Sequence, residues 1–188
     1  GTDDTWGSSG MDGTLVKTDK KGNPLWTQIV SHQYGYGKNI EIHHITETNK
    51  GYLLLGATNG VSPYLGIMDS SGLTTYLLRL TATSQGSVSA KPYEKPNGNI
   101  IFSGCYGNQA FITETDLALG VYWFKRHTGV RTLYSTIKVQ GGYLMGGTDL
   151  SNTQIGLMKV AENGDFISAC KITHSGSTPT AARDISAT

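Results

Sequence analysis

The sequence is short of charge, cysteine and long apolar runs, and each shortage removes a class of protein. Asp, Glu, Lys and Arg make up 15% of its 188 residues, against roughly a quarter in an ordinary soluble domain. The 15 basic and 14 acidic residues give a formal net charge of +1. They are scattered, with no basic run to track a phosphate backbone or an anionic surface, so nucleic acid is not expected as a partner. No window approaches the roughly 18 apolar residues of a membrane helix, so no membrane span is expected. The amino end, Gly1-Thr2-Asp3-Asp4, is polar and unlike a signal peptide. Two cysteines, Cys105 and Cys170, are too few for a disulfide framework. They read as two small, half-buried apolar residues, with a bond between them as the alternative.

Catalytic signatures are also missing. There is no His-x-x-x-His and no Cys-x-x-Cys, so no metal site is expected. His43 and His44 are neighbours on one strand and read as one inward and one outward side chain. No Gly-x-Ser-x-Gly elbow occurs. Gly35-Tyr36-Gly37 and Gly146-Gly147 lack the Lys-Ser/Thr of a phosphate loop. A glycosidase needs two carboxylates a few ångströms apart. The acids Asp3, Asp4, Asp12, Glu41, Glu47, Glu94 and Asp149 form no such motif. No catalytic residue and no cofactor is expected.

What the sequence has in quantity is glycine, 25 residues, and tyrosine, 10, and both recur in register. Leu15-Val16-Lys17-Thr18-Asp19-Lys20-Lys21-Gly22 runs into Trp26. Leu65-Gly66-Ile67-Met68-Asp69-Ser70-Ser71-Gly72 runs into Tyr76. Phe111 to Asp116 leads through Gly120 to Trp123, and Leu157 to Asn163-Gly164 leads to Phe166. The turn glycines Gly22, Gly72, Gly120 and Gly164 are spaced by 50, 48 and 44 residues. Between them fall hairpins of a second kind. They turn at Lys50-Gly51, Asn97-Gly98 and Gly141-Gly142 and continue as Tyr52 to Gly56, Asn99 to Gly104 and Tyr143 to Gly147. Glycine supplies the positive φ of a tight turn. The runs Leu53 to Leu55 and Ile100 to Phe102 predict strands covered on both faces. The trailing Gly56, Gly104 and Gly147 predict close packing or a bend. Trp26, Tyr76 and Trp123, just past the turn glycines, predict rings that pack one sheet on the next. Asp19, Asp69 and Asp116 lack the Asp-x-Asp-x-Asp run of a calcium site and read as turn residues bonded to their own backbone.

The unit resembles the β-propeller repeats of secreted bacterial and archaeal proteins, in which a strand ending Lys-x-Asp-x-x-Gly-Asn-x-x-Trp alternates with a Gly-Gly-Tyr-apolar-apolar-Gly hairpin. It is more distantly similar to the quinoprotein-like propellers. The resemblance implies an all-β chain of four-stranded antiparallel blades, extracellular or at the cell surface, with repeats near 1–30, 40–81, 87–127 and 131–173 and a partial one at 180–188. About four blades are visible, one of them incomplete. Gly1 to Met11 reads as the loop after a second strand, and Ala181 to Thr188 as a first strand without a second. A closed four-bladed ring, a piece of a larger propeller and a ring completed by a second copy all remain open, because an open blade edge invites strand addition.

The long connection Ser31 to Asn39 carries Tyr34 and Tyr36. With Trp6, Asn59, Tyr106, Asn108 and Asp149 from matching loops, it makes a candidate loop face for a glycan or protein ligand. The expected function is a non-enzymatic binding or scaffold module. A glycosidase-like or quinoprotein-like enzyme and a fibre-forming unit are the alternatives.

Overall fold

A computed structural model describes residues 2–3, 12–30, 40–58, 62–79, 86–88, 91–118, 120–149 and 154–172. Among the described residues all sixteen elements are strands, gathered into four antiparallel sheets in chain order. The first sheet holds β1 (Thr2–Asp3), β2 (Asp12–Thr18) and β3 (Pro24–Val30). The second holds β4 (Ile40–Thr48), β5 (Gly51–Thr58), β6 (Ser62–Met68) and β7 (Thr74–Arg79). The third holds β8 (Gly86–Val88), β9 (Tyr93–Glu94), β10 (Ile100–Tyr106), β11 (Gln109–Thr115) and β12 (Val121–His127). The fourth holds β13 (Val130–Val139), β14 (Gly142–Asp149), β15 (Ile155–Ala161) and β16 (Phe166–Ile172). The chain divides into two units, Gly1–Ser87 and Val88–Thr188.

One turn recurs, and its residue types explain it. Gly22 N donates to Asp19 O, and Asp19 N donates to Asn23 O. The same pair of bonds forms at Asp69 with Gly72 and Leu73, and at Ala161 with Gly164 and Asp165. Gly22, Gly72 and Gly164 hold φ of 88°, 88° and 81°, left-handed values that cost any residue with a Cβ about 1–2 kcal/mol. Each turn shifts the register at the strand end, between Lys17 and Thr18, Ile67 and Met68, and Lys159 and Val160, as a glycine bulge does. The acids serve the turn as the sequence suggests. Asp19 Oδ1 accepts from Lys21 N and Asn23 N, Asp69 Oδ1 from Ser71 N and Leu73 N, and Asp116 Oδ1 from Ala118 N and Gly120 N. Bonds from Asn23 and Ser71 draw the carboxyls of Asp19 and Asp69 below their ordinary values.

Strands β5 and β10 are buried as the apolar runs predict: Leu53 to Leu55 and Ile100 to Phe102 have no exposed surface. Gly56 and Gly147 are close-packed. A Cβ on either would lie within 2 Å of the carbonyl oxygen of Glu41 or Thr132 on the neighbouring strand. Beside each, the neighbour carries an extra residue: register shifts between Ile42 and His44, and between Leu133 and Ser135. His43 is thus the bulged residue, which breaks the strict alternation expected for the His43-His44 pair. His43 is exposed, its ring 3.3 Å from Glu41 Oε2, and His44 is half-buried.

Two expectations are corrected. Thr2–Asp3 is a strand paired with Gly13 and Asp12, not loop. In the third sheet β8 and β9 each pair with β10, and Pro92, which has no N–H for the ladder, stands just ahead of β9. Cys105 is buried and Cys170 exposed, both free, so they are neither half-buried alike nor bonded. Ala181 to Thr188 lies outside the described residues.

Within each unit, one sheet grips the next by the same device. In the amino-terminal unit, Trp26 and Gln28 on β3 close over the turn at Gly72. In the carboxyl-terminal unit, Trp123 and Lys125 on β12 close over the turn at Gly164. The side chain of Tyr76 lies outside the description. The cores follow: Leu15, Val30, Ile40, Leu54, Tyr64 and Met68 in the first case, with Trp26 and Tyr52 against them. In the second, Ile101, Ile112, Leu133, Tyr143, Met145 and Val160 lead, with Tyr93 and Trp123.

Candidate functional site

Of the seven residues proposed for the loop face, Trp6, Tyr34, Tyr36 and Asn59 lie outside the described residues. Tyr106 ends β10, and Asn108 is exposed in the turn that follows it. The Arg126 guanidinium lies over the Tyr106 ring, 5.5 Å from its centre, a cation–π contact on that face. Asp149 departs from the expectation. It is 3% exposed, Gln154 N donates to its Oδ1, and Lys171 Nζ lies 3.6 Å from its Oδ2. Burial and those partners make it a strut at the end of β14.

The most completed polar site was not singled out in the sequence. Glu114, at the end of β11 and 6% exposed, accepts three hydrogen bonds. Lys95 Nζ donates at 2.9 Å, Asn99 Nδ2 at 2.6 Å and Trp123 Nε1 at 2.9 Å. Burial alone would raise its pKa, but the bonds from Asn99, Lys95 and Trp123 outweigh it and hold the carboxyl below the ordinary glutamate value. Both oxygens are engaged, so Glu114 is a fixed anion with little capacity to relay a proton. Nearby, Tyr143 is buried with no partner for its hydroxyl among the described residues, and burial pushes its pKa up to about 12. His127 Nε2 faces Gly164 O at 3.1 Å and must donate to it; burial lowers its pKa. Glu114 stands directly across β11–β12 from Trp123, a pairing that only the register discloses.

The amino-terminal unit carries a pocket of about 130 Å³ where these struts would stand. Leu15, Val16 and Lys17 of β2, Trp26 of β3, Ile45 of β4, Tyr52 and Leu54 of β5, and Met68 of β6 line it. Lys17 stands directly across β2–β3 from Trp26, as Glu114 does from Trp123. Lys17 Nζ donates to the Tyr52 hydroxyl at 2.6 Å. That bond is the leading cause of a raised lysine pKa, and the charge sits 5.3 Å from the Tyr52 ring centre. The Trp26 and Tyr52 rings meet edge to face at 5.8 Å. The Trp26 indole N–H is buried without a partner among the described residues. The pocket is apolar with one fixed cation, a shape suited to an aliphatic side chain.

Among the described residues no three His, Cys, Asp or Glu side chains group as a metal site, and no helix is long and apolar enough to cross a membrane. No family model matches the chain, and no curated protein does. Solved structures do match. One is the crystal structure of a protein of unknown function from Bacteroides caccae, with a TM-score of 0.55 and 14% identity. The match covers 86% of this chain and 58% of that one, so the chain spans little over half of that protein's length. The likeness is one of fold.

Proposed function

We propose that the four sheets are blades of a β-propeller and that the chain is a non-enzymatic binding or scaffold module with a protein as its partner. The observation that carries this is how the buried carboxylates are used. Glu114 is saturated by Lys95, Asn99 and Trp123, and Asp149 is held by Gln154 and Lys171. A hydrolase of the propeller kind needs such acids unspent and facing a substrate. The exposed surface is of another character. On β16 all seven residues are exposed, among them Phe166, Ile167 and Ile172. Apolar side chains gathered on one outer strand mark an interaction surface. Placement outside the cell rests on the resemblance to secreted repeats.

The test is a pull-down and a glycan array run together, with the wild-type chain and a Phe166→Ser/Ile172→Ser variant. Capture of a defined protein that fails with the variant is the expected result. Glycan binding that survives that variant but is lost in Tyr106→Ala would return the ligand to the loop face and overturn the protein reading.

A further inference from the structure

His127 ends β12 where that strand meets the turn of the fourth sheet, and its side chain is 8% exposed. Its Nε2 lies 3.1 Å from Gly164 O, the carbonyl of the glycine that Trp123 and Lys125 also cover. A carbonyl only accepts, so Nε2 carries the proton, and in the neutral ring the other nitrogen is bare. The Phe166 ring lies 6.2 Å away, tilted by 38°. From β11, the residue opposite is Ala110, which carries no charge. Two charged groups act on the imidazole. Lys125, on the same strand, opposes a second proton, and Asp165, on the turn, favours one. These two are paired with each other at 3.0 Å, so their effects on the ring offset. Burial outweighs the bond to Gly164 and holds His127 below its ordinary value of 6.5.

The amino-terminal unit is a built-in control. There Trp26 and Gln28 of β3 cover Gly72, as Trp123 and Lys125 of β12 cover Gly164. Two residues beyond Lys125 is His127, and two residues beyond Gln28 is Val30, which is 2% exposed. Both positions are buried at the end of the outer strand. Only the histidine changes charge between about pH 5 and pH 8.

We infer that the joint between the third and fourth sheets is an acid-sensitive latch, closed while His127 is neutral and loosened when His127 takes up a proton. An imidazolium in the closed joint is cut off from water on the faces that Phe166 and the turn cover. Opening the joint restores that hydration. The open joint therefore binds the proton more readily than the closed one, and protonation shifts the balance towards opening. The closed state is at full strength above 6.5, the ordinary histidine value. It weakens as pH falls from there and stops weakening below the lowered value of the closed joint. One proton is involved, so the opening constant rises by at most about tenfold per pH unit. The joint of the amino-terminal unit, with Val30 in place of His127, does not respond. The inference goes beyond the function proposed above and holds whether or not a protein partner is found.

The readout is hydrogen exchange at two indole N–H groups of the full chain, followed from about pH 8 to about pH 5. The Trp123 N–H lies in the latch, bonded to Glu114, and the Trp26 N–H is buried in the other joint. Both follow one exchange chemistry, so the ratio of their rates removes the intrinsic effect of pH. The range stays above 4.5, the ordinary glutamate value, so Glu114 keeps its charge. The Trp123 to Trp26 ratio is expected to climb as pH falls below 6.5, by up to about tenfold per unit, and then to level off. In His127→Val, which copies Val30, and in His127→Gln, which retains a donor, a constant ratio is expected. A constant ratio in the wild type would overturn the inference, and so would the same climb in both variants. Titration of the His127 ring by NMR is a second arm that needs no variant. A value below 6.5 supports the latch, and a value at or above 6.5 overturns it.

Discussion

Trp26 and Trp123 occupy matched positions in their units, and each closes over the turn glycine of the following sheet. Their neighbours differ. Across from Trp123 lies Glu114, which accepts the indole N–H; Lys125 reaches Asp165 at 3.0 Å, and His127 donates to Gly164. Across from Trp26 lies Lys17, which cannot accept a hydrogen bond, and the positions of Lys125 and His127 are taken by Gln28 and Val30. One joint is a polar clasp and the other a greasy one with an orphaned donor. The lesson is that ring and glycine define the joint, while the electrostatics beneath it are free to vary. A buried donor without a partner costs about 1–3 kcal/mol, so the amino-terminal joint is the weaker by this reckoning.

Removing the anion should break the comparison most forcefully. Glu114→Ala leaves Lys95, Asn99 and Trp123 without their acceptor, and a loss of about 3–5 kcal/mol is expected in denaturant unfolding. Lys17→Ala, its counterpart, should cost far less in the same measurement, because its cation is solvated. Next come the turn glycines. Gly164→Ala meets the Trp123 ring as well as a positive φ, so about 2–3 kcal/mol is expected. Gly22→Ala meets open space at the same φ and should cost only about 1 kcal/mol. The difference between the two measures the joint itself.

Exchanging the rings sharpens the contrast further. Trp123→Phe strands an oxygen of Glu114 and should cost about 1–2 kcal/mol more than Trp26→Phe, which removes a donor that had no partner. The smallest effect concerns pH. The Glu114 carboxyl is held below the ordinary value of 4.5, so its contribution is complete above that pH and is lost as pH falls through the lowered folded value. Acid unfolding of Glu114→Gln should be shallower than that of the wild type across that window. Equal slopes would remove the polar clasp from the account.

The repeat, the turn glycines, the turn aspartates and the doubly covered strands were legible in the sequence, because each rests on local backbone chemistry. The packing of Trp26 and Trp123 was legible for the same reason: a large ring recurred at a fixed distance from a glycine. The bulges at His43 and Tyr134 were not. They arise where two carbonyls crowd Gly56 and Gly147, a cross-strand event whose only trace is the glycine. Glu114 was hidden because its meaning depends on the residue across the ladder and not on its own neighbours in sequence. The loop-face site was argued from residue type and loop position. Burial then turned Asp149 into a strut, and an Arg126 contact engaged the Tyr106 ring.

The joint has a further consequence, which concerns direction. Within each unit the first sheet supplies the ring and the second the turn glycine, so each joint has a direction. On the fourth sheet the ring position, across from Lys159 on β15, is Ser168. A serine has no face with which to grip a following glycine turn. There β16 presents a hydroxyl where β3 and β12 present an indole.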